Sequence, residues 1–371
     1  MRPRADAVDA PLVERLRGAG AIVIGRTNLP DMGLRVSTDS SLRGLTRNPW
    51  HRERTAGGSS GGEGAAIASG MSPLGAGNDI GGSLRNPAHC CGISSLKPTT
   101  GRVPWSNSIS PEDGPLAAQL MAVNGPMARQ VADLQLGLEI MSGPDWRDPG
   151  ALPVPLQFPG PGGPVQVAVV AEPPGGGTDP GVAEVVRWAA THLAAAGYQV
   201  DEVTPPDYEA TIELWRAFLF AEIRTLEPQL APHMGEDGRR FLSASLDSEP
   251  VLDIDPYIEL FIRRRRLARA WSEFFQRYPL ILSPIWTRPA FPHGWDVVNV
   301  AATMELLRPA MPANVLGLPA AATPGGLVDG MPVGVQCIAA PFREDRALAA
   351  AAVIQAAVGL TDPVDPFVNA G

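Results

Sequence analysis

The residues able to do chemistry crowd into one stretch, positions 55–104. Gly57-Gly58-Ser59-Ser60-Gly61-Gly62 leads into an alanine-rich run, and Gly81-Gly82-Ser83 repeats the theme further on. Glycines leave backbone N–H groups uncovered, and a helix N-terminus adds partial positive charge. Such a segment can cradle an anion or a developing oxyanion, and a glycine-flanked serine beside it reads as a nucleophile. Asp79 and Arg85 flank the second loop, where an ion pair between them would fix it.

Other chemistries fit parts of this stretch. Gly57 to Gly61 matches the G-x-S-x-G elbow, but that elbow follows a hydrophobic strand, and Asn48 to Arg54 (NPWHRER) cannot form one. No G-K-[ST] occurs, so a phosphate-binding P-loop is unsupported. His89, close behind Ser83, opens a Ser-His-Asp alternative. Cys90, Cys91 and Cys337 form no C-x-x-C pair, so neither a zinc ribbon nor a redox motif is indicated. Either glycine loop alone would read as a tight turn.

The surrounding elements alternate in type. Residues 10–18 read as a short amphipathic helix, and Ala21 to Gly25 (AIVIG) as a buried strand. Residues 38–110 are irregular apart from a helical patch at Gly62 to Ser69, and helical periodicity returns over 127–142. Seven prolines make 143–164 an irregular connection. Strands are expected at Val165 to Val170, Tyr198 to Val203 and Ile281 to Ser283, with a helix from Pro180 to Ala196. Residues 205–278 read as a helical insertion, 309–338 as strands and turns, and Arg346 to Gly359 as a closing helix. The class is α/β. Trp215, Phe218, Phe220 and Trp286 suit either an apolar pocket or helix core, and core is the commoner fate of aromatics.

Charge narrows the partners. The 371 residues carry a formal net charge of −9, which disfavours nucleic acid. The basic run Arg263 to Arg266 lies in helical sequence and reads as a solvated face. Met1 to Asp6 has no apolar region behind it and is not a signal peptide, and no 18-residue apolar run spans a membrane. Few cysteines suit a reducing cytoplasm.

Taken in order, the block resembles the amidase signature family. Gly57 to Gly62, Asp79 to Arg85, Pro87-Ala88, Cys91-Gly92 and Leu96 to Thr99 match its G-G-S-S-G-G, D-[IT]-G-G-S-[IL]-R, P-A, C-G and L-K-P-T elements. Thr27-Asn28, Asn124 to Leu134, Asn314 to Pro319 and Gly330 to Gln336 extend the likeness over most of the chain, weakest in 205–300. The resemblance implies a single domain over 1–371, a large mixed β-sheet sandwiched between helices. It implies hydrolysis of a carboxamide through a Ser-Ser-Lys triad. Ser83 takes the place of the nucleophile. Ser59, behind a cis Gly58–Ser59 peptide, takes that of the bridging serine. The backbone of Ile80, Gly81 and Gly82 would form the oxyanion hole, with Ser60, Asp79 and Arg85 in support. No cofactor or metal is implied, since the hole supplies the charge stabilisation. A small-molecule amide is the expected partner, with a homodimer as the assembly to consider.

The family's lysine stands on a strand further upstream of Ser59 than Met1. Lys97 is the sole lysine of the sequence and falls in L-K-P-T, away from the triad position. Arginine stays protonated and cannot act as the base. The expectation is therefore a chain truncated at its N-terminus and nearly inactive as written. A non-catalytic amide-binding relative and a protein like the amidase component of glutamyl-tRNA amidotransferase are the alternatives.

Overall fold

A computed structural model describes residues 8–106, 114–160 and 162–359. The reading of Met1 to Asp6 lies outside them. In chain order the helices and strands that build the site begin with α1 (Pro11–Gly18), a two-stranded ribbon β1 (Asp39–Ser40) and β2 (Gly44–Leu45), and α2 (Gly61–Ala68). They continue with β3 (Leu74–Asp79), α3 (Arg85–Cys91), β4 (Ser94–Lys97), α4 (Leu116–Met121), β5 (Val123–Ala128) and α5 (Val131–Met141). Next come β6 (Gln166–Val169), α6 (Pro180–Ala195), β7 (Gln199–Glu202), α7 (Tyr208–Leu230), α8 (Glu236–Asp247) and α9 (Ile254–Arg277). The last are β8 (Leu280–Pro284), α10 (Trp295–Val298), α11 (Val300–Leu306), α12 (Met311–Val315), β9 (Ala320–Val328), β10 (Met331–Ala339) and α13 (Glu344–Val358).

Eight strands form one sheet in the order β3-β5-β4-β9-β10-β8-β6-β7. Pairing is antiparallel from β3 through β8 and parallel from β8 through β6 to β7, so the sheet is mixed. It takes strands from both sides of the proline-rich 143–164 segment. Helices cover both faces. Val131, Leu134, Val186 and Ile354 pack one face through α5, α6 and α13. Ile67, Phe218, Trp271 and Val315 pack the other through α2, α7, α9 and α12. This is an α/β/α sandwich, with α7, α8 and α9 as the helical insertion.

Local chemistry explains many boundaries. α6 starts where the Asp179 side chain accepts the Gly181 N–H at 2.8 Å, with Pro180 in its first turn. α3 stops at Gly92, whose φ of 69° suits a residue without a Cβ. Arg15 on α1 donates to the Met141 and Ser142 carbonyls at 2.9 and 2.6 Å, satisfying the C-terminus of α5.

Three expectations are corrected. Ala21 to Gly25 is not a strand, and Ile22 and Ile24 are 87% and 72% exposed. A strand is held by its ladder to a neighbour, and among the described residues none lies beside this segment. The helix expected from 127 begins at Val131, because Met127 and Ala128 belong to β5. Finally, 38–110 holds β3, α3 and β4, which sequence alone missed. β3 reads Leu-Gly-Ala-Gly-Asn-Asp and lacks β-branched residues because α2 lies directly on it. A Cβ on Gly75 would sit 2.0 Å from Glu63 Oε1, and one on Gly77 2.7 Å from Ser60 Oγ.

Candidate active site

The two glycine–serine loops meet at the end of β3. Asp79 closes that strand, and residues 80–84 turn from it into α3. The first loop enters α2, with Ser60 as its N-cap residue. Ser60 N–H donates to the Ser83 carbonyl at 3.2 Å, tying one loop to the other. Ser59 and Ser83 are 8% and 9% exposed, so each is nearly buried yet open to solvent on one side. The Gly58–Ser59 peptide is cis.

Beneath Ser83 lies a fully buried polar network. Arg85 Nε and Nη2 donate to the two Asp79 oxygens, each at 3.0 Å. Asp79 also accepts the Gly82 N–H at 2.8 Å and the Leu84 N–H at 3.2 Å, gripping the chain on both sides of Ser83. Burial would raise the Asp79 pKa, but the Arg85 charge and its hydrogen bonds outweigh burial and hold it down at about 2. Arg85 further donates to Asn314 Oδ1 and Gln336 Oε1 at 2.6 and 2.7 Å, and Asn314 Nδ2 donates to Asp79 Oδ1 at 2.9 Å. The expected Asp79–Arg85 pair is thus part of a larger clamp.

Side chains that the sequence reading did not single out hold the loops in register. Thr38 Oγ1 donates to the Gly57 carbonyl at 2.8 Å and accepts the Gly61 N–H at 3.1 Å. Asn86 Nδ2 donates to the carbonyls of Gly58 and Gly81 at 3.0 and 3.4 Å, joining the two loops. Asn86 Oδ1 is fixed in turn by Trp286 Nε1–H at 2.8 Å. Trp286 therefore belongs to the core, as does Phe218, while Trp215 and Phe220 are both buried and wall the cavity.

Backbone donors are divided. Gly82 N–H serves Asp79, so it does not face the cavity as the expected hole would have it. No acceptor among the described residues engages the N–H of Ile80, Gly81 or Ser83. A Cβ on Gly81 would sit 2.4 Å from Trp215 Cζ2, and Trp215 Nε1–H donates to the Ile80 carbonyl at 2.7 Å. Trp215 thus lies over the stretch next to Ser83, and only glycine at 81 leaves room for it.

The cavity beside Ser83 holds about 170 Å³ and is mostly apolar. Ile80, Trp215, Leu219, Phe220, Ile223 and Leu242 are among its walls. Among the described residues, two charged side chains line it, Arg35 and Glu222. Arg35 makes a bidentate pair with the buried Asp296 at 2.9 and 3.1 Å.

The histidine alternative fails on geometry. His89 Nδ1 accepts the Gly334 N–H at 3.1 Å, so Nε2 carries the proton, 3.1 Å from the Arg288 carbonyl that accepts it. Burial lowers its pKa to about 4, and both nitrogens are occupied. Lys97 is also buried, donating to the Pro98 and Leu318 carbonyls at 2.9 and 2.8 Å, and burial lowers its pKa to about 7. It does not line the cavity.

The Amidase family profile matches residues 2–348. The chain belongs to the amidase family. It is an amidase-type hydrolase. It is 42% identical over 357 residues to an indoleacetamide hydrolase of Bradyrhizobium diazoefficiens, covering 95% of this chain and 68% of that one. A glutamyl-tRNA(Gln) amidotransferase component of Symbiobacterium thermophilum is 34% identical, covering 92% of this chain and 74% of the relative. Among solved structures, 6-aminohexanoate cyclic dimer hydrolase superposes with a TM-score of 0.82 at 29% identity, covering 97% of this chain and 80% of that one. Among the described residues no helix is long and apolar enough to cross a membrane.

Proposed function

We propose that this amidase cleaves small amides with an apolar acyl group through an acyl-Ser83 intermediate. The supporting observation is the placement of Ser83 at the rim of an apolar cavity beside the unengaged N–H groups of Gly81 and Ser83. In this reading Ser83 Oγ attacks the amide carbonyl carbon, and its proton passes by way of Ser59 to the departing nitrogen. The C–N bond breaks, an amine or ammonia leaves, and water hydrolyses the ester. Gly81 and Ser83 N–H meet the developing oxyanion, with Asp79, Arg85 and Ser60 holding the loop that carries them. A serine hydroxyl needs a base, and the described side chains bring none to Ser83: His89 is engaged on both nitrogens and Lys97 is directed to carbonyls. By resemblance to the amidase signature family, the base for this step is a lysine. The cytoplasm is the proposed location.

The apolar walls and the net charge of −9 favour a small apolar amide over the tRNA-linked chemistry named for the amidotransferase relatives. The test is ammonia release from indole-3-acetamide by the 371-residue chain and by a chimaera that joins to it a lysine-bearing N-terminal segment of an amidase relative. Slow release from the first and fast release from the second is expected. Fast release from the first would show that the base has been misassigned. Binding without turnover by the second would show a non-catalytic relative.

A further inference from the structure

The cavity contains a charge that the acyl-transfer chemistry does not use. Glu222, on α7, lines the same apolar cavity as Ser83. Among the described residues no arginine or lysine pairs with it. Arg35, the one cation that the described residues bring to the cavity, is taken by Asp296. Two neutral donors hold Glu222 instead. Ala117 N–H donates to Oε2 at 2.7 Å, and Tyr257 O–H donates to Oε1 at 2.5 Å. Burial, reinforced by Glu222, pushes the Tyr257 phenol up, so it remains a donor.

An ionised carboxylate offers about four lone-pair sites, and these contacts fill only part of them. Glu222 is half-buried beside Trp215, Leu219, Phe220 and Ile223, and an acceptor site left open in such a cavity favours a ligand that brings a donor. The same walls favour a flat apolar group. A cavity of about 150 Å³ lined by apolar side chains takes up benzene, so one near 170 Å³ with an open mouth accommodates a ring.

We propose that Glu222 is a specificity-determining residue that accepts a hydrogen bond from a ring N–H at the distal end of the substrate's acyl group. The substrate class is then an arylacetamide-type amide whose ring carries an N–H donor. This inference rests on the cavity beside Ser83 being the acyl site. It does not require that Ser83 turn over.

The test is equilibrium binding by calorimetry to the Ser83→Ala chain, which removes hydrolysis. The probes are indole-3-acetamide, its ring-N-methyl derivative and naphthaleneacetamide. The N–H compound should bind at least about tenfold more tightly than either analogue, the range of a hydrogen bond to a charged acceptor. Adding Glu222→Leu should bring the three Kd values within about twofold. Adding Tyr257→Phe, which keeps the ring and opens Oε1, should preserve or widen the preference. Equal affinities in the Ser83→Ala chain, binding of none of the probes, a preference that survives Glu222→Leu, or one lost in Tyr257→Phe would each overturn the inference. Failure of Ser83 as nucleophile would show only in turnover and would leave the affinity ratio intact.

Discussion

Replacing Asp79 with asparagine isolates the clamp beneath Ser83. The side chain keeps its shape but loses the charge that offsets Arg85, both residues being fully buried. Its new amide nitrogen would also face donors, since Asp79 accepts from Gly82, Leu84, Arg85 and Asn314. Breaking a buried ion pair by removing one partner costs about 3–5 kcal/mol. The pKa gives an independent figure. A carboxyl held at about 2 rather than its ordinary 3.8 contributes roughly 2.5 kcal/mol at neutral pH, at about 1.36 kcal/mol per unit. Because the folded pKa is depressed, this contribution is present above pH 3.8 and lost as pH falls through about 2. Urea unfolding of wild type and Asp79→Asn should therefore show a gap of roughly 3–5 kcal/mol at pH 7 that narrows by about 2 kcal/mol by pH 2, where Asp79 is half protonated. Adding Arg85→Met to Asp79→Asn should recover part of the loss, since no uncompensated charge then remains. A gap under about 1 kcal/mol at pH 7, or one that widens in acid, would refute the assignment of Asp79 and Arg85 as the clamp.

Other substitutions probe the same frame. Gly81→Ala places a methyl 2.4 Å from Trp215 Cζ2 and should cost about 1–3 kcal/mol in thermal unfolding while lowering Ser83 labelling by an active-site probe. Lys97 is held at about 7 against an ordinary 10.5, so between these values the unfolded chain binds a proton that the folded chain does not. The stability of wild type relative to Lys97→Met should thus rise with pH across that window, by up to about 5 kcal/mol; a flat difference would contradict a neutral Lys97. Ile22→Ser with Ile24→Ser removes apolar side chains that are 87% and 72% exposed and should reduce concentration-dependent light scattering without lowering Tm.

Legibility in the sequence followed the range of the interactions. Elements defined by local periodicity and caps, such as α6 between Asp179 and Gly197, were readable to within a residue. β3 was not, because its glycines answer to α2 packed on it, a contact that no window of sequence contains. Ala21 to Gly25 failed in the opposite direction. It is apolar enough for a buried strand, yet strand formation depends on a neighbour. At the site, Ser59, Ser83 and the Asp79–Arg85 pair stood out because they lie within one motif-rich stretch. Thr38, Asn86 and Glu222 did not. Asn86 meets Trp286 across 200 residues and Glu222 meets Ala117 across 105, and only the fold brings such pairs together. Asn314 and Gln336 lay in recognised motifs, but their shared partner Arg85 is visible only in three dimensions.

The central claim is that Ser83 is the acyl-accepting nucleophile. Its most direct test is tryptic mass spectrometry after treatment of the lysine-bearing chimaera with a fluorophosphonate probe. The adduct should fall on Ser83, disappear in Ser83→Ala, and be slowed in the presence of indole-3-acetamide. An adduct on Ser59, Ser60 or any other residue, or one that persists in Ser83→Ala, would contradict it.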